Sequence, residues 1–302
     1  MTAGVDVSVV IATHNRRELL SEAIGSVRRQ VGPVWELIVV DDASTDDTPD
    51  YLARESSLVV LRQEVNTERS RARNRGLAEA SGRYVMFLDD DDALHVDALR
   101  TLASALDRHP RAVAAIGARE DWFVSENYRR RDIHPRGEVE RDLFDEFLFG
   151  WSAVSGQNLY RTEMVRAVGG YDAKLTVVED RDLWLRVSRL GPVVLCPRTV
   201  MTYRIPLTQN RPDDIRRRRE FVARRAIRAL PRDRRRRALL IRRSTAFVDA
   251  AEDAVIAGHA FKAFPALARA IRCFPALLST PLLSVWIARR LGGRAYRRWT
   301  RA

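Results

Sequence analysis

Five short apolar runs alternate with segments whose apolar residues recur at helical spacing, and this alternation is what most restricts the fold. The runs are residues 7–12, 35–40, 58–61, 84–88 and 113–116. Between them, Leu19, Leu20, Ala23, Ile24 and Val27 form one helical stripe, and Tyr51 and Leu52 belong to a second. Residues 72–80 make a third, stopped by Gly82, and Leu94, Leu99, Leu102 and Leu106 make a fourth that ends before Pro110. Runs this short, rich in β-branched residues, fit strands buried on both faces. Apolar residues three and four apart fit helices that pack by one face. Strands joined through such helices predict an α/β domain with a mixed, mostly parallel sheet flanked by helices.

In open sheets of this kind ligands collect beyond the carboxyl ends of the strands. Three polar clusters fall there: Thr13-His14-Asn15, Asp41-Asp42, and four consecutive aspartates, Asp89 to Asp92. Four adjacent carboxylates repel one another unless a cation sits among them. A hard divalent cation suits carboxylate oxygens and bridges to substrate phosphates. A solvated acidic turn, or the start of the helix through Leu94, is the other reading. Asp42 can likewise be a helix cap, as can Ser44 or Thr45. No glycine follows the first strand in Thr13-His14-Asn15-Arg16-Arg17, so a dinucleotide fingerprint is excluded, and GxxxxGK[ST] is absent. Five scattered histidines and two cysteines, Cys196 and Cys273, give no zinc spacing and no disulfide framework. A receiver-type acidic pocket would account for the carboxylates but not for a second acidic cluster near residue 180.

The ordered motifs resemble family 2 glycosyltransferases of GT-A (Rossmann-like) fold over roughly residues 5–205. Residues 7–16, VSVVIATHNR, are similar to the opening strand of that family, and residues 36–46, ELIVVDDASTD, to its second strand and acidic loop. Ala72-Arg73-Asn74-Arg75-Gly76 resembles its ARNxG helix, and residues 84–92 its strand ending in DXD. Gly169-Gly170-Tyr171-Asp172, followed by Glu179-Asp180, looks like its GGFD and ED stretches.

The resemblance implies transfer of a sugar from a nucleoside-diphosphate donor to an acceptor hydroxyl with inversion. Thr13 and Asp42 would face the nucleobase, Arg73 would lie near the nucleotide, and Asp89 and Asp90 would serve the nucleotide sugar, Asp89 at the ribose. Asp91 would bind Mg²⁺ or Mn²⁺, and Asp180 would be the catalytic base. Trp151 and Trp184 would line an acceptor pocket, or be plain core. The metal offsets charge on the departing diphosphate, and a carboxylate takes the proton of a weakly nucleophilic hydroxyl. The motif can be read as Asp89-x-Asp91, which is adopted, or as Asp90-x-Asp92. Asp180, flanked by Glu179 and Asp182, can also be a helix cap.

Charge divides the chain. Residues 1–203 hold 27 basic and 33 acidic side chains, net −6, whereas residues 204–302 hold 25 and 7, net +18. The expected division is residues 1–205 as the transferase domain and 206–302 as a basic amphipathic helical extension. Arg216 to Arg219 and Arg234 to Arg237 interleave with Phe221, Val222, Ile227, Leu230, Leu239, Leu240 and Ile241. Arg289, Arg290, Arg294, Arg297 and Arg298 bracket Tyr296 and Trp299 further on. Arginine beside aromatic residues fits a helix lying on an anionic membrane surface. A helical cap on the domain is the other reading; no nucleic-acid-binding signature is present. No leader-like segment and no uninterrupted apolar stretch of about 20 residues is evident. The expected place is the cytoplasm, at the inner face of the cytoplasmic membrane, with a glycan or lipid-linked acceptor. A non-catalytic nucleotide-sugar or nucleic-acid binding protein is the alternative.

Overall fold

The structure, a computed structural model, describes residues 4–131, 136–205 and 214–275. In chain order its strands and helices are β1 (Val7–Thr13), α1 (Arg17–Arg28), β2 (Trp35–Asp41), α2 (Thr48–Ala53), β3 (Val59–Arg62), α3 (Glu68–Glu79), β4 (Tyr84–Asp89), β5 (Ala93–Leu94), α4 (Ala98–Arg108), β6 (Ala114–Phe123), β7 (Tyr128–Arg131), β8 (Val139–Arg141), α5 (Phe144–Phe149), β9 (Asn158–Arg161), α6 (Thr162–Ala167), α7 (Glu179–Val187), β10 (Val193–Ile205), α8 (Ile215–Arg228), α9 (Arg232–Ile256) and α10 (Ala263–Cys273). The expected α/β architecture is present. The sheet runs β3-β2-β1-β4-β9-β6-β10-β5, with β7 on β6 and β8 on β10. Its first four strands are parallel; β9 enters antiparallel between β4 and β6.

The register explains the unbroken apolar runs. Val7, Val9 and Ile11 of β1 belong to one buried layer with Leu20, Ile24 and Val27 of α1 and Leu99, Leu102 and Leu106 of α4. The alternate residue Val10 faces α3, where a Cβ on Gly76 would lie 2.4 Å from its Cγ1. Both faces of the strand are therefore covered, and alternation of polar and apolar residues is lost. Because β1, β2 and β4 are parallel and in register, Thr13 pairs with Asp41, and Ala12 with Asp89. All three polar clusters leave the sheet on one edge.

Two sequence expectations change. Leu94 is not in the helix with Leu99; it lies in β5, which pairs antiparallel with Met201 and Thr202 of β10. That two-residue strand holds the last aspartate, Asp92, against the β10 backbone. Ser44 and Thr45 do not cap α2, whose N-cap position is Asp47; the Thr45 amide and hydroxyl instead donate to Asn15 Oδ1.

Two compact units divide the chain: Met1–Asp142 with Ala153–Arg218, and Leu143–Ser152 with Arg219–Ala302. In the second, Phe144, Phe147 and Phe149 of α5 are buried, as are Ile241, Val248 and Ala270. Thr245 donates to the Phe149 carbonyl, and Ser244 to that of Ala270. Gly258, at φ 82°, ends α9, with the His259 amide reaching back to the Ala254 carbonyl. The expected single apolar face of the basic helices is split. Val222, Ile227, Leu230 and Ile241 turn inward, whereas Phe221, Leu239 and Leu240 are exposed. Tyr296, Trp299 and the arginines around them lie outside the described residues. Among the described residues no helix is long and apolar enough to cross a membrane.

Candidate active site

The carboxyl edge of β1, β2 and β4 is held by one buried cation, Arg73, and one half-exposed cation, Arg16. Arg73 of α3 is 3% exposed. Its Nη2 lies 2.5 Å from Asp89 Oδ1, and its Nη1 lies 3.2 Å from Glu179 and 3.3 Å from Asp180. The guanidinium also sits 5.0 Å from the Tyr171 ring centroid. One side chain thus ties the end of β4 to the start of α7, elements far apart in sequence. Arg73 thus clamps three carboxylates.

Tyr171 is positioned by the two glycines before it. Gly169 and Gly170, at φ 81° and 68°, end α6, and the Gly170 amide bonds the Val165 carbonyl. A Cβ on Gly170 would stand 2.5 Å from Asn74 Oδ1. That oxygen accepts from the Tyr171 amide, and Asn74 Nδ2 donates to the Tyr171 carbonyl, each at 2.8 Å. The Tyr171 hydroxyl favours the ionised form of Asp180. Burial pushes the Asp180 carboxyl up to about 7 against the pull of Arg73; Glu179 and Asp89 add to the rise. Just before Glu179, Val178 has φ 61°, a conformation that β-branched residues avoid. Asn15 and Ala43 in the loops of the same edge, and Glu68 at the start of α3, also have positive φ. Such outliers concentrate where a site dictates the backbone path.

The four aspartates have unequal surroundings. Asp90 is 6% exposed. It accepts 2.8 Å from the Thr13 hydroxyl at one oxygen and 3.0 Å from Arg16 at the other. Burial raises its carboxyl to about 6, opposed by Arg16 and Thr13. Asp91 shares the Arg16 Nη1 at 3.0 Å. Asp92 accepts from the Arg204 amide at Oδ1, while its Oδ2 is buried with no hydrogen-bond partner. Burial, and then the charge of Asp89, raise both the Asp91 and Asp92 carboxyls, Asp92 far more. Asp89, Asp91 and Asp92 can each offer an oxygen within 4.8 Å of the others. A divalent cation fits this set: it would satisfy the orphaned Asp92 oxygen and offset three crowded charges. Asp90, with both oxygens engaged, is outside the set, so the geometry groups Asp89-x-Asp91 and adds Asp92.

Asp42 does not cap α2. Its Oδ1 accepts from Gln63 Nε2, the Thr67 amide and the Thr67 hydroxyl at 2.8–3.0 Å, anchoring the loop that leads into α3. Thr13 spends its hydroxyl on Asp90. Both tryptophans are buried. Trp184 is 0% exposed, 4.8 Å centroid to centroid from Tyr160. Trp151 is buried in the second unit, stacked 5.4 Å from Phe147. A tryptophan alternating with apolar residues, as in Leu183-Trp184-Leu185, signals burial before sugar stacking. Sequence reasoning assigned no role to Arg16, Glu179, Tyr171 or Arg204. For Arg16 the signal was its place beside Thr13 at a strand end facing uncompensated carboxylates; nothing local pointed to Arg204.

The parallel half-sheet, acidic strand ends and buried clamp define a GT-A-like α/β protein. Residues 8–169 match the profile of Glycosyl transferase family 2, and the chain belongs to that family. It is 35% identical over 186 residues to the uncharacterised protein y4gI of Sinorhizobium fredii, covering 60% of this chain and 20% of that one. It is 41% identical over 100 residues to the GalNAc(5)-diNAcBac-PP-undecaprenol beta-1,3-glucosyltransferase of Campylobacter jejuni, 32% of each chain. The match thus spans a fifth to a third of the length of these two relatives. The solved structure of residues 1–349 of TarS from Staphylococcus aureus in complex with UDP-GlcNAc superposes with a TM-score of 0.69. The superposition covers 97% of this chain and 92% of that one at 18% identity, a likeness of fold.

Proposed function

We propose that this chain transfers a sugar from a nucleoside-diphosphate donor to an acceptor hydroxyl, with inversion, in the assembly of cell-surface polysaccharide or glycolipid. The observation that carries this reading is the Arg73 clamp, which brings Asp89 of the acidic strand end and Asp180 of α7 onto one guanidinium. Donor-side and acceptor-side carboxylates are then neighbours, as a single in-line displacement requires. Asp180 takes the proton of the acceptor hydroxyl as the new glycosidic bond forms and the bond to the diphosphate breaks. A carboxyl raised to about 7 is a stronger base than an ordinary one and still ionises near neutral pH. Arg73 and Tyr171 hold it in place. Asp42 offers Oδ2 to a base N–H, its Oδ1 being used by the loop. Thr13 fixes Asp90 and thereby the start of the acidic run. Asp89, Asp91 and Asp92 would hold Mg²⁺ or Mn²⁺, which supplies positive charge to the departing diphosphate.

A lipid-linked or polymeric glycan acceptor is supported by the Campylobacter relative, whose name describes an undecaprenol-linked acceptor. Exposed Leu239, Leu240, Phe261 and Phe264 on an arginine-rich unit favour attachment to the anionic inner face of the cytoplasmic membrane. The test is sugar transfer from a panel of nucleotide sugars with Mn²⁺. Asp180→Asn should lower transfer by about 10²–10⁴-fold while donor still raises the melting temperature. Full transfer by Asp180→Asn would overturn the base assignment, and transfer unaffected by a chelator would overturn the metal.

A further inference from the structure

Arg16 occupies a position that the proposed chemistry does not use. It follows Asn15 in the β1–α1 loop, where its carbonyl accepts the Leu20 amide and fixes its backbone to α1. Its side chain is 46% exposed and makes two ion pairs through the same nitrogen, Nη1 to Asp90 and Nη1 to Asp91. The two ends differ. The Asp90 side chain is 9% exposed and held from behind by Thr13, whereas that of Asp91 is 29% exposed. Asp91 is also one of the three carboxylates that converge with Asp89 and Asp92.

The positive charges along the acidic run are therefore shared out. Arg73 serves Asp89, Arg16 serves Asp90 and Asp91, and Asp92 has a backbone amide. A divalent cation entering among Asp89, Asp91 and Asp92 meets the Arg16 charge on one of its own ligands. Like charges this close repel, and a carboxylate oxygen that already accepts from a guanidinium is a weaker ligand. We propose that Arg16 is the stand-in cation of this edge: it holds Asp91 in the absence of metal and competes with divalent metal for it, while its bond to Asp90 persists. Both carboxylate contacts use Nη1, so the guanidinium can give up Asp91 without leaving Asp90. Its planar fork then has donors to offer an oxyanion arriving with the metal.

The inference rests on the metal reading of this edge, and one titration separates the two. Mn²⁺ binding is followed by loss of its free EPR signal, without nucleotide, in wild type, Arg16→Gln and Arg16→Lys. Arg16→Gln should bind Mn²⁺ about tenfold more tightly than wild type, since a unit charge near the ion is gone. Arg16→Lys, which keeps the charge, should stay close to wild type. Equal or weaker binding by Arg16→Gln would overturn the proposal, as would tight binding by Arg16→Lys, because charge would then not be the cause. Absence of Mn²⁺ binding in all three would overturn the metal reading and the proposal together. Melting curves confirm that each variant is folded.

Discussion

The carboxyl edge of the sheet and the helices of the second unit are both strongly charged, and they hold charge in different ways. At the edge, charge is acidic, gathered on a buried arginine and paired over long sequence separations, as in Arg73 with Asp89, Glu179 and Asp180. The backbone around it is strained at Asn15, Ala43, Glu68 and Val178. On the helices, charge is basic and mostly exposed, and pairs are of both kinds: Arg224 meets Glu220 one turn away, whereas Arg237 reaches Asp145 and Arg242 reaches Glu220 across the unit. Arg236, Leu239, Leu240 and Arg243 form an exposed stripe on α9. Phe261 and Phe264 flank Lys262 at the start of α10, 68% and 74% exposed. Buried charge is expensive and keeps one geometry because every partner is needed. Exposed charge costs little, tolerates rearrangement and suits a diffuse partner such as a lipid surface.

This contrast breaks first, and most strongly, at Arg73. Arg73→Ala leaves three acidic groups without their shared cation and should cost about 3–5 kcal/mol in urea unfolding. The matched surface change, Arg224→Ala, should stay within about 0.5 kcal/mol. Similar losses at both sites would mean that burial does not distinguish the two regions.

A medium effect concerns pH. The Asp180 carboxyl is raised to about 7, chiefly by burial, so it is mostly protonated below that value and the proposed base would be lost there. Transfer should fall about tenfold for each pH unit below 7, and be nearly level above it. A profile flat down to pH 5 would place the base elsewhere.

The smallest effect on folding, and the one that sharpens the comparison, is at the exposed stripe. Arg236→Gln combined with Leu239→Ser should leave stability within about 0.5 kcal/mol. It should nonetheless weaken co-flotation with vesicles containing phosphatidylglycerol. Unchanged flotation, or equal flotation of wild type with neutral vesicles, would remove the membrane reading of these helices.

Much of the architecture was legible because its causes are local. The runs from Val7 and Tyr84 are apolar on both faces, and the helical stripes between them are regular, so the succession of strands and helices and the shared carboxyl edge followed, whereas the order of strands in the sheet did not. Leu94 was misread because a two-residue strand has no periodicity of its own; pairing with β10 decides it. The aromatic residues were the least legible. A tryptophan's composition does not say which way it points, and packing on Tyr160 and Phe147 turned Trp184 and Trp151 into core.

The sequence by itself determined that carboxylates would gather at one edge, since parallel register carries the ends of β1, β2 and β4 there together. It also determined that Asp89 to Asp92 would need a counter-charge. Only the tertiary structure decided which cation meets which carboxylate. Arg16, Arg73 and the Arg204 amide reach the aspartates from separate parts of the chain. Such pairings depend on three-dimensional approach and burial, which no local pattern of residues encodes.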